Sequence, residues 1–502
     1  MDAEEFWKSH GIARDPFASQ DAAQDYVLPK CLEGVHHPQW DRILGDPSYP
    51  TTSLVFGEKG SGKTAIRLQI LQSLAEYNET AKPGGKILVI EYEDFNPVLD
   101  TFAKNLRSDS PLSSLLLQDH IDAILSLGVT RVVNNIIAGR IPNASSALKK
   151  LDDGIKTDAA ILAAIYDSVE RERFHRRWYQ VVKRMGLGKR LRMFFTKILP
   201  YVTPAAGLAL AAVGYWQIPK LLCIWIALAA AGLIHPAWRC LTSLSRARKI
   251  LQAMPIIRLP GSQGGTGRSV RDLAWALRHF SKKTLDGRVL PNRSRDKIAE
   301  EARYHFLRTF QAVLSALGFS GIVVLIDRID EPTLVAGDPD KMWLLMRNLF
   351  DNKLLKHPDL GVKALLQIEV WDAIKQQGDQ FKRKARLDKQ HVVAPLEWTS
   401  KTLYDVAAAR LDVCRSGEEG SRLDDLFDGS VKDSEAGGGQ SVQRALLHYF
   451  DRLRPQTPRK LFDFLHEIVT EHCNRTGRSG EKTHIDATTL AVAFERITRS
   501  AL

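Results

Sequence analysis

Short, continuous apolar runs punctuate the chain, and each is bounded by a turn signal or a polar residue. Ser53-Leu54-Val55-Phe56 runs into glycine, Ile87–Tyr92 follows Pro83-Gly84-Gly85, Gly321–Ile326 ends on Asp327, and Val362–Ile368 carries Gln367 near its end. Apolar runs of this length without alternation predict strands covered on both faces, as in a parallel sheet. Helical spacing fills the intervals. Ile66, Ile70, Leu71 and Leu74 share one face of a helix predicted from Gly62 to about Tyr77. Further helical patterns cover 100–190, Arg295–Leu317, the Trp343–Phe350 region and the last sixty residues, where Leu461, Phe464, Leu465 and Ile468 recur. Strand, helix, strand around Gly62 is a βαβ unit and predicts an α/β fold. Residues 416–440, rich in Gly, Ser, Asp and Glu, predict a flexible loop. No internal repeat is present.

Two longer apolar stretches change the picture. Ile198–Trp216 is uncharged, and at about 1.5 Å per helical residue it reaches roughly 28 Å, near the thickness of a bilayer core. Leu221 to about Trp238 is also uncharged, and only Gln217-Ile218-Pro219-Lys220 separates the two. Tyr215, Trp216 and Trp238 lie at the ends, and basic residues flank both sides. The expectation is a membrane hairpin spanning 198–238 with both flanks cytoplasmic; a buried soluble hairpin is the alternative.

Composition and charge narrow the partners. The chain has 502 residues, a hydrophobic content of 44% and a charged content of 25%, a globular balance. Its formal net charge of +12 raises the question of nucleic acid. Fifteen Lys/Arg and one acid, Glu172, fall between Arg171 and Lys249; this stretch carries +14, leaving −2 for the remainder. A basic excess confined to one segment argues against a nucleic-acid partner. The five cysteines, Cys31, Cys223, Cys240, Cys414 and Cys473, show no paired spacing and predict reduced thiols. The acidic start, Met1-Asp2-Ala3-Glu4-Glu5, has no leader-peptide pattern.

The chemistry concentrates at one motif. Gly57-Glu58-Lys59-Gly60-Ser61-Gly62-Lys63-Thr64 matches the P-loop pattern G-x-x-x-x-G-K-[ST] in full, after a predicted strand and before a predicted helix. Glycines let the backbone curl so that its N–H groups face phosphate oxygens, and the helix start adds its positive dipole end. Lys63 is expected on the β and γ phosphates and the Thr64 hydroxyl on Mg²⁺. Asp327, at the end of an apolar strand, is expected to hold the same ion. Many P-loop ATPases place a glutamate next, to polarise the attacking water; here that place is Arg328, and Asp330 or Glu331, with Glu331 preferred, is the candidate. No guanine-reading motif is found, which points to ATP. Arg410 is expected to pair with a neighbouring acid.

A complete P-loop, an apolar hairpin and then a strand ending in Asp327 resembles the layout of KAP-type P-loop NTPases, membrane-attached ATPases of the additional-strand class related to STAND and origin-recognition-type ATPases. The resemblance implies that Gln367 senses the γ-phosphate and that Arg459, in Thr457-Pro458-Arg459-Lys460-Leu461, belongs to a lid contacting nucleotide. The expected architecture is an N-terminal segment (1–50), a P-loop half (51–100), a helical insertion (101–190), a transmembrane hairpin with basic flanks (191–250), a second half with the Asp327 strand (251–410), and a flexible loop with a helical lid (411–502). The expected protein is an inner-membrane ATPase with a cytoplasmic catalytic domain, using ATP and Mg²⁺ in regulation, signalling or bacterial defence, with protein partners or self-association. Two alternatives stand beside it: a nucleotide-gated membrane scaffold with little hydrolysis, and a soluble origin-recognition-type DNA-associated ATPase.

Overall fold

The computed structural model describes residues 2–499 except 20–21, 23, 107–109, 169–173, 188–208, 210–211, 213–237, 259–267, 289, 292–296, 418–419 and 477–483. Five strands, β1 (Ser53–Gly57), β2 (Lys86–Tyr92), β3 (Phe319–Ile326), β4 (Leu360–Gln367) and β5 (His391–Val393), form one parallel sheet in the order β2-β3-β4-β1-β5. Every residue of β1 is buried, as the unbroken apolar run requires of a strand with a parallel neighbour on each side. Ser53 faces Lys363 on β4 and His391 on β5, and Gly57 faces Gln367. Four strands match the apolar runs; β5 is three residues long and carries no such run.

The backbone forms two compact units. The first comprises Met1–Thr80, Leu325–Ile329 and Gly361–Leu502, the second Ala81–Val324 and Asp330–Leu360. In the first unit, the helix Ala3–Ser9 opens with a capping box: the Glu5 N–H donates to Asp2 Oδ1 at 2.8 Å and the Asp2 N–H to Glu5 Oε2 at 3.1 Å. That start directs Phe6 and Trp7 into a core shared with Leu403, Leu411, Phe450, Phe464 and Phe494. The segment expected as a flexible loop, 416–440, also contributes to this core through Leu423, Leu426, Phe427 and Val431. Its Gly and Asp residues are turn and cap chemistry around buried apolar anchors; Asp428 accepts from the Ser430 N–H at the start of the short helix Gly429–Asp433. Arg410 pairs with Asp25 at 2.6 Å, the acid partner expected of it.

The second unit is helical around Leu117–Ile137, Asp153–Tyr166, Phe174–Arg184 and Lys297–Ala316. Its centre holds a fully buried ion pair, Arg303 to Asp122 at 3.2 Å. The Tyr166 hydroxyl donates to Asp122 at 2.7 Å, and Arg303 also donates to the Ala253 carbonyl at 3.0 Å. Such a pair is tolerated in low dielectric only when its remaining donors and acceptors are also satisfied.

The expected transmembrane hairpin and inner-membrane location are corrected by the helices. Among the described residues none is long and apolar enough to cross a membrane. Described helical residues 238–252, at the edge of the second stretch, carry Arg239, Arg246, Arg248 and Lys249, too many charges for a spanning segment. The apolar stretches 198–216 and 221–238 lie outside the described residues apart from Ala209, Ala212 and Trp238.

Lys363 is the costly residue of the sheet. It sits inside β4, 2% exposed, and its ammonium donates to the Leu44 carbonyl at 2.7 Å. Burial brings its pKa down from 10.5 to about 7. Between those values the unfolded chain holds a proton that the folded chain lacks, so stability rises with pH through that window. Below it both states are protonated and the full penalty applies, on the order of 5 kcal/mol. Lys363→Met is therefore expected to raise stability most below pH 7, with the gain shrinking toward pH 10. Urea unfolding at pH 6, 8 and 10 checks this, and a gain independent of pH contradicts it.

Candidate functional site

The glycine loop between β1 and the helix Lys63–Thr80 lies wholly in the first unit, and so do the side chains gathered around it. Gly60 and Gly62 take φ of +88° and +89°, a left-handed backbone that strains any residue with a Cβ. These two reversals curl the chain from the end of β1 into the helix. Glu58 and Lys59 are exposed on the outer part of the loop, whereas Ser61 and Lys63 are buried. The Lys63 ammonium folds back on the loop and donates to the carbonyls of Gly57 and Glu58, each at 2.8 Å.

Asp327 follows the last residue of β3 and is 2% exposed. Burial pushes its carboxyl above the usual carboxylate value. Four donors and charges oppose this, in decreasing order: the Arg328 backbone N–H, the Arg67 guanidinium, the Thr64 hydroxyl and the Lys63 ammonium. Thr64 thus reaches Asp327 through its hydroxyl, and Lys63 acts on it through its charge. Arg67, one helical turn beyond Lys63, places Nε 3.4 Å from Asp327 Oδ2. That oxygen accepts no hydrogen bond, and neither does the buried Ser61 hydroxyl oxygen. Arg328 adopts φ +58°, a left-handed conformation that turns the chain away immediately after the carboxylate.

Gln367 closes β4 directly opposite Gly57, so the end of the strand between β1 and β3 reaches the start of the loop. From the other side come two segments far apart in sequence. The Trp398 indole N–H donates to the Ser61 carbonyl at 2.8 Å. Trp398 is held edge-on by His37 at 5.0 Å. His37 Nε2 donates to the Glu397 carbonyl at 2.9 Å while its Nδ1 accepts from the Gln39 N–H at 3.1 Å, which fixes the neutral tautomer. Burial lowers the His37 pKa accordingly. The second segment begins the helix Pro458–Thr476. The Arg459 N–H donates to the Gly60 carbonyl at 3.3 Å, and a Cβ on Gly60 would stand 2.7 Å from Arg459 Cβ and 2.9 Å from its Cδ.

Of the expected site residues, Gly57 to Thr64, Asp327, Gln367 and Arg459 belong to the first unit. Asp330 and Glu331 belong to the second; Asp330 is partly buried and Glu331 exposed. Sequence reasoning missed Arg67 and Trp398. Arg67 carries a usable signal, since the i, i+4 relation to Lys63 puts both on one helix face. Trp398 carries none.

A Mg²⁺ ion fits this donor set. Such ions take one or two protein oxygens and complete their shell with phosphate and water, and an orphaned carboxylate oxygen beside a threonine hydroxyl is that kind of site. Among the described residues no cluster of three or more His, Cys, Asp or Glu offers an all-protein alternative.

The contact between Gly60 and Arg459 generates an expectation of its own. Gly60→Ala and Gly378→Ala both place a Cβ on a left-handed backbone, but only at Gly60 does it meet another side chain; around Gly378, φ +73°, nothing lies within 4 Å. Gly60→Ala is expected to cost about 1–3 kcal/mol more than Gly378→Ala in denaturant unfolding; equal losses contradict the packed arrangement. No protein-family model matches the chain, and no curated protein or solved structure does so either.

Proposed function

We propose that the chain is a P-loop ATPase of the additional-strand class, binding ATP with Mg²⁺ at residues 57–64 and using nucleotide occupancy to control its C-terminal helices. One observation carries the reading: Lys63, Thr64 and Asp327 come together at the ends of two strands that are not neighbours, with β4 lying between β1 and β3. Gln367 ends β4, the strand between β1 and β3, and takes the place where the resemblance to KAP-type NTPases implies a polar sensor of the γ-phosphate; the membrane hairpin of that resemblance is not part of the proposal.

The residues divide the work as follows. The loop backbone wraps the phosphates, with Gly60 and Gly62 permitting the close approach. Lys63 exchanges the Gly57 and Glu58 carbonyls for β and γ phosphate oxygens. Thr64 and Asp327 would hold Mg²⁺, which neutralises charge developing on the phosphates. Gln367 orients the γ-phosphate, and Arg459, beside Gly60, adds a cation from the lid. Asp330 or Glu331, the latter preferred, positions the attacking water.

ATP binding, measured with a fluorescent analogue, tests the core of this reading. Lys63→Ala is expected to weaken binding at least about 100-fold, a loss of about 3 kcal/mol for a buried charge-assisted contact. Asp327→Asn is expected to abolish the dependence on Mg²⁺ while leaving metal-free binding within a few-fold. Wild-type binding that ignores Lys63→Ala would remove the P-loop reading.

A second reading is favoured by Arg328, which occupies the place of the usual water-polarising acid and lies in a left-handed conformation. In it the protein binds ATP but turns it over slowly, acting as a nucleotide-gated scaffold. Single-turnover hydrolysis separates the two. If Glu331 positions the water, Glu331→Gln lowers the rate by about 10²–10⁴-fold with binding unchanged; an undiminished rate removes Glu331 from the mechanism.

A further inference from the structure

Arg67 is a charge that the phosphate chemistry does not use. It lies on the helix that opens at Lys63, four residues on, so its side chain shares the face that Lys63 presents toward β3. It is 6% exposed, and its partner Asp327 is 2% exposed. The guanidinium Nε stands 3.4 Å from Asp327 Oδ2, close enough to neutralise the carboxylate, while that oxygen accepts no hydrogen bond. The pair is therefore a charge contact without a directional bond. Oδ2 keeps its lone pairs for another cation, and Arg67 keeps a neighbour that such a cation also needs.

We propose that Arg67 is a positioning residue that stands in for the divalent cation on Asp327 in the nucleotide-free protein and so sets the Mg²⁺ concentration at which nucleotide is captured. The inference rests on the P-loop reading above. Its physical basis is competition for one buried carboxylate. A Mg²⁺ ion reaching Thr64 and Asp327 has to share Asp327 with a fixed guanidinium and tolerate its positive charge at short range, which raises the metal requirement. In the absence of metal the same guanidinium stands beside Asp327 with its positive charge, so the acid is held next to the loop before nucleotide arrives. Guanidinium suits this role because it cannot be deprotonated and is more weakly hydrated than an ammonium.

The experiment is a Mg²⁺ titration of ATP binding on the full chain, with unfolding in metal-free buffer as a readout independent of nucleotide. Arg67→Gln is expected to lower the free Mg²⁺ giving half-maximal binding by at least about tenfold, and Arg67→Lys to stay nearer the parent. In metal-free buffer Arg67→Gln is expected to be destabilised, and adding Asp327→Asn to remove most of that loss, because the uncompensated charge is then gone. A structural role alone predicts the loss of stability without the shift in metal requirement. Should Arg67→Gln fail to fold, the Arg67 Nε–H resonance of the parent protein gives the answer. It is expected to move on saturation with ATP and Mg²⁺ and to stay in place with ATP in EDTA. A half-saturation for Mg²⁺ unchanged or raised in Arg67→Gln, or a stationary resonance, overturns the inference while leaving ATP binding intact. Absence of ATP binding in the parent protein overturns the P-loop reading and the inference together.

Discussion

A carboxylate buried at the end of a strand has to be met by positive charge and hydrogen-bond donors, and Asp327 obtains them from the N–H of Arg328 that follows it and from a single helix start. Lys63, Thr64 and Arg67 all reach it from the first turn and a half of the helix Lys63–Thr80. This sets the position of that helix against the end of β3, because a shift by one residue along it would withdraw all three. It also restricts the loop, since the helix can begin where it does only if the chain reverses at Gly60 and Gly62. The glycines, the helix start and the acid are thus one constraint written at three places in the sequence.

The sheet order is the second part of the same arrangement. Placing β4 between β1 and β3 separates the loop from the acid by one strand width, about 4.8 Å on each side. Long side chains from the helix can cross that interval where backbone contact cannot. The gap is also where the end of β4 emerges, so Gln367 arrives beside Gly57 as a consequence of register alone. Lys363 shows what this central position costs: a strand with neighbours on both edges and layers on both faces leaves an ammonium only one carbonyl to bond.

Legibility in the sequence follows the range of the interaction. The glycine loop, β1, β2, β3 and Asp327 could all be read, because each depends on residues within one strand or one turn. Gln367 could be placed for the same reason. Trp398 and Arg459 reach the loop from more than three hundred residues away in the chain; Arg459 is named only through the family resemblance, and no local pattern reports the contact of Trp398. Nor does composition distinguish a flexible loop from a tightly turned one. The glycine- and acid-rich stretch 416–440 hides Leu423, Leu426, Phe427 and Val431, spaced i, i+3, i+4 and i+8 but carried by two short helical turns, Asp424–Leu426 and Gly429–Asp433, rather than one helix, and all four are buried. The membrane reading of 198–238 rests on length, apolarity, terminal aromatics and basic flanks, over stretches of modest hydropathy and Ala-rich composition. Those features do not by themselves make a spanning helix, and among the described residues no helix is long and apolar enough to cross a membrane.

The close approach of Arg459 to Gly60 connects the loop to the C-terminal helices by the shortest available route. At this point the glycine serves two ends at once: its backbone takes a conformation closed to other residues, and its missing side chain leaves the space that Arg459 fills. The helix Pro458–Thr476 starts at Thr457-Pro458, a rigid opening whose proline fixes φ and whose threonine caps the first turn. The loop whose Gly57 and Glu58 carbonyls hold Lys63 is thus tied to the helix through the Gly60 carbonyl, which receives the Arg459 N–H. The same helix packs Leu461, Phe464 and Ile468 into the buried aromatic core of the first unit, so the residue beside Gly60 and these core residues belong to one rigid element. The link between loop and core needs no extended chain of contacts; it is made by one residue without a side chain at the loop and one helix that begins there.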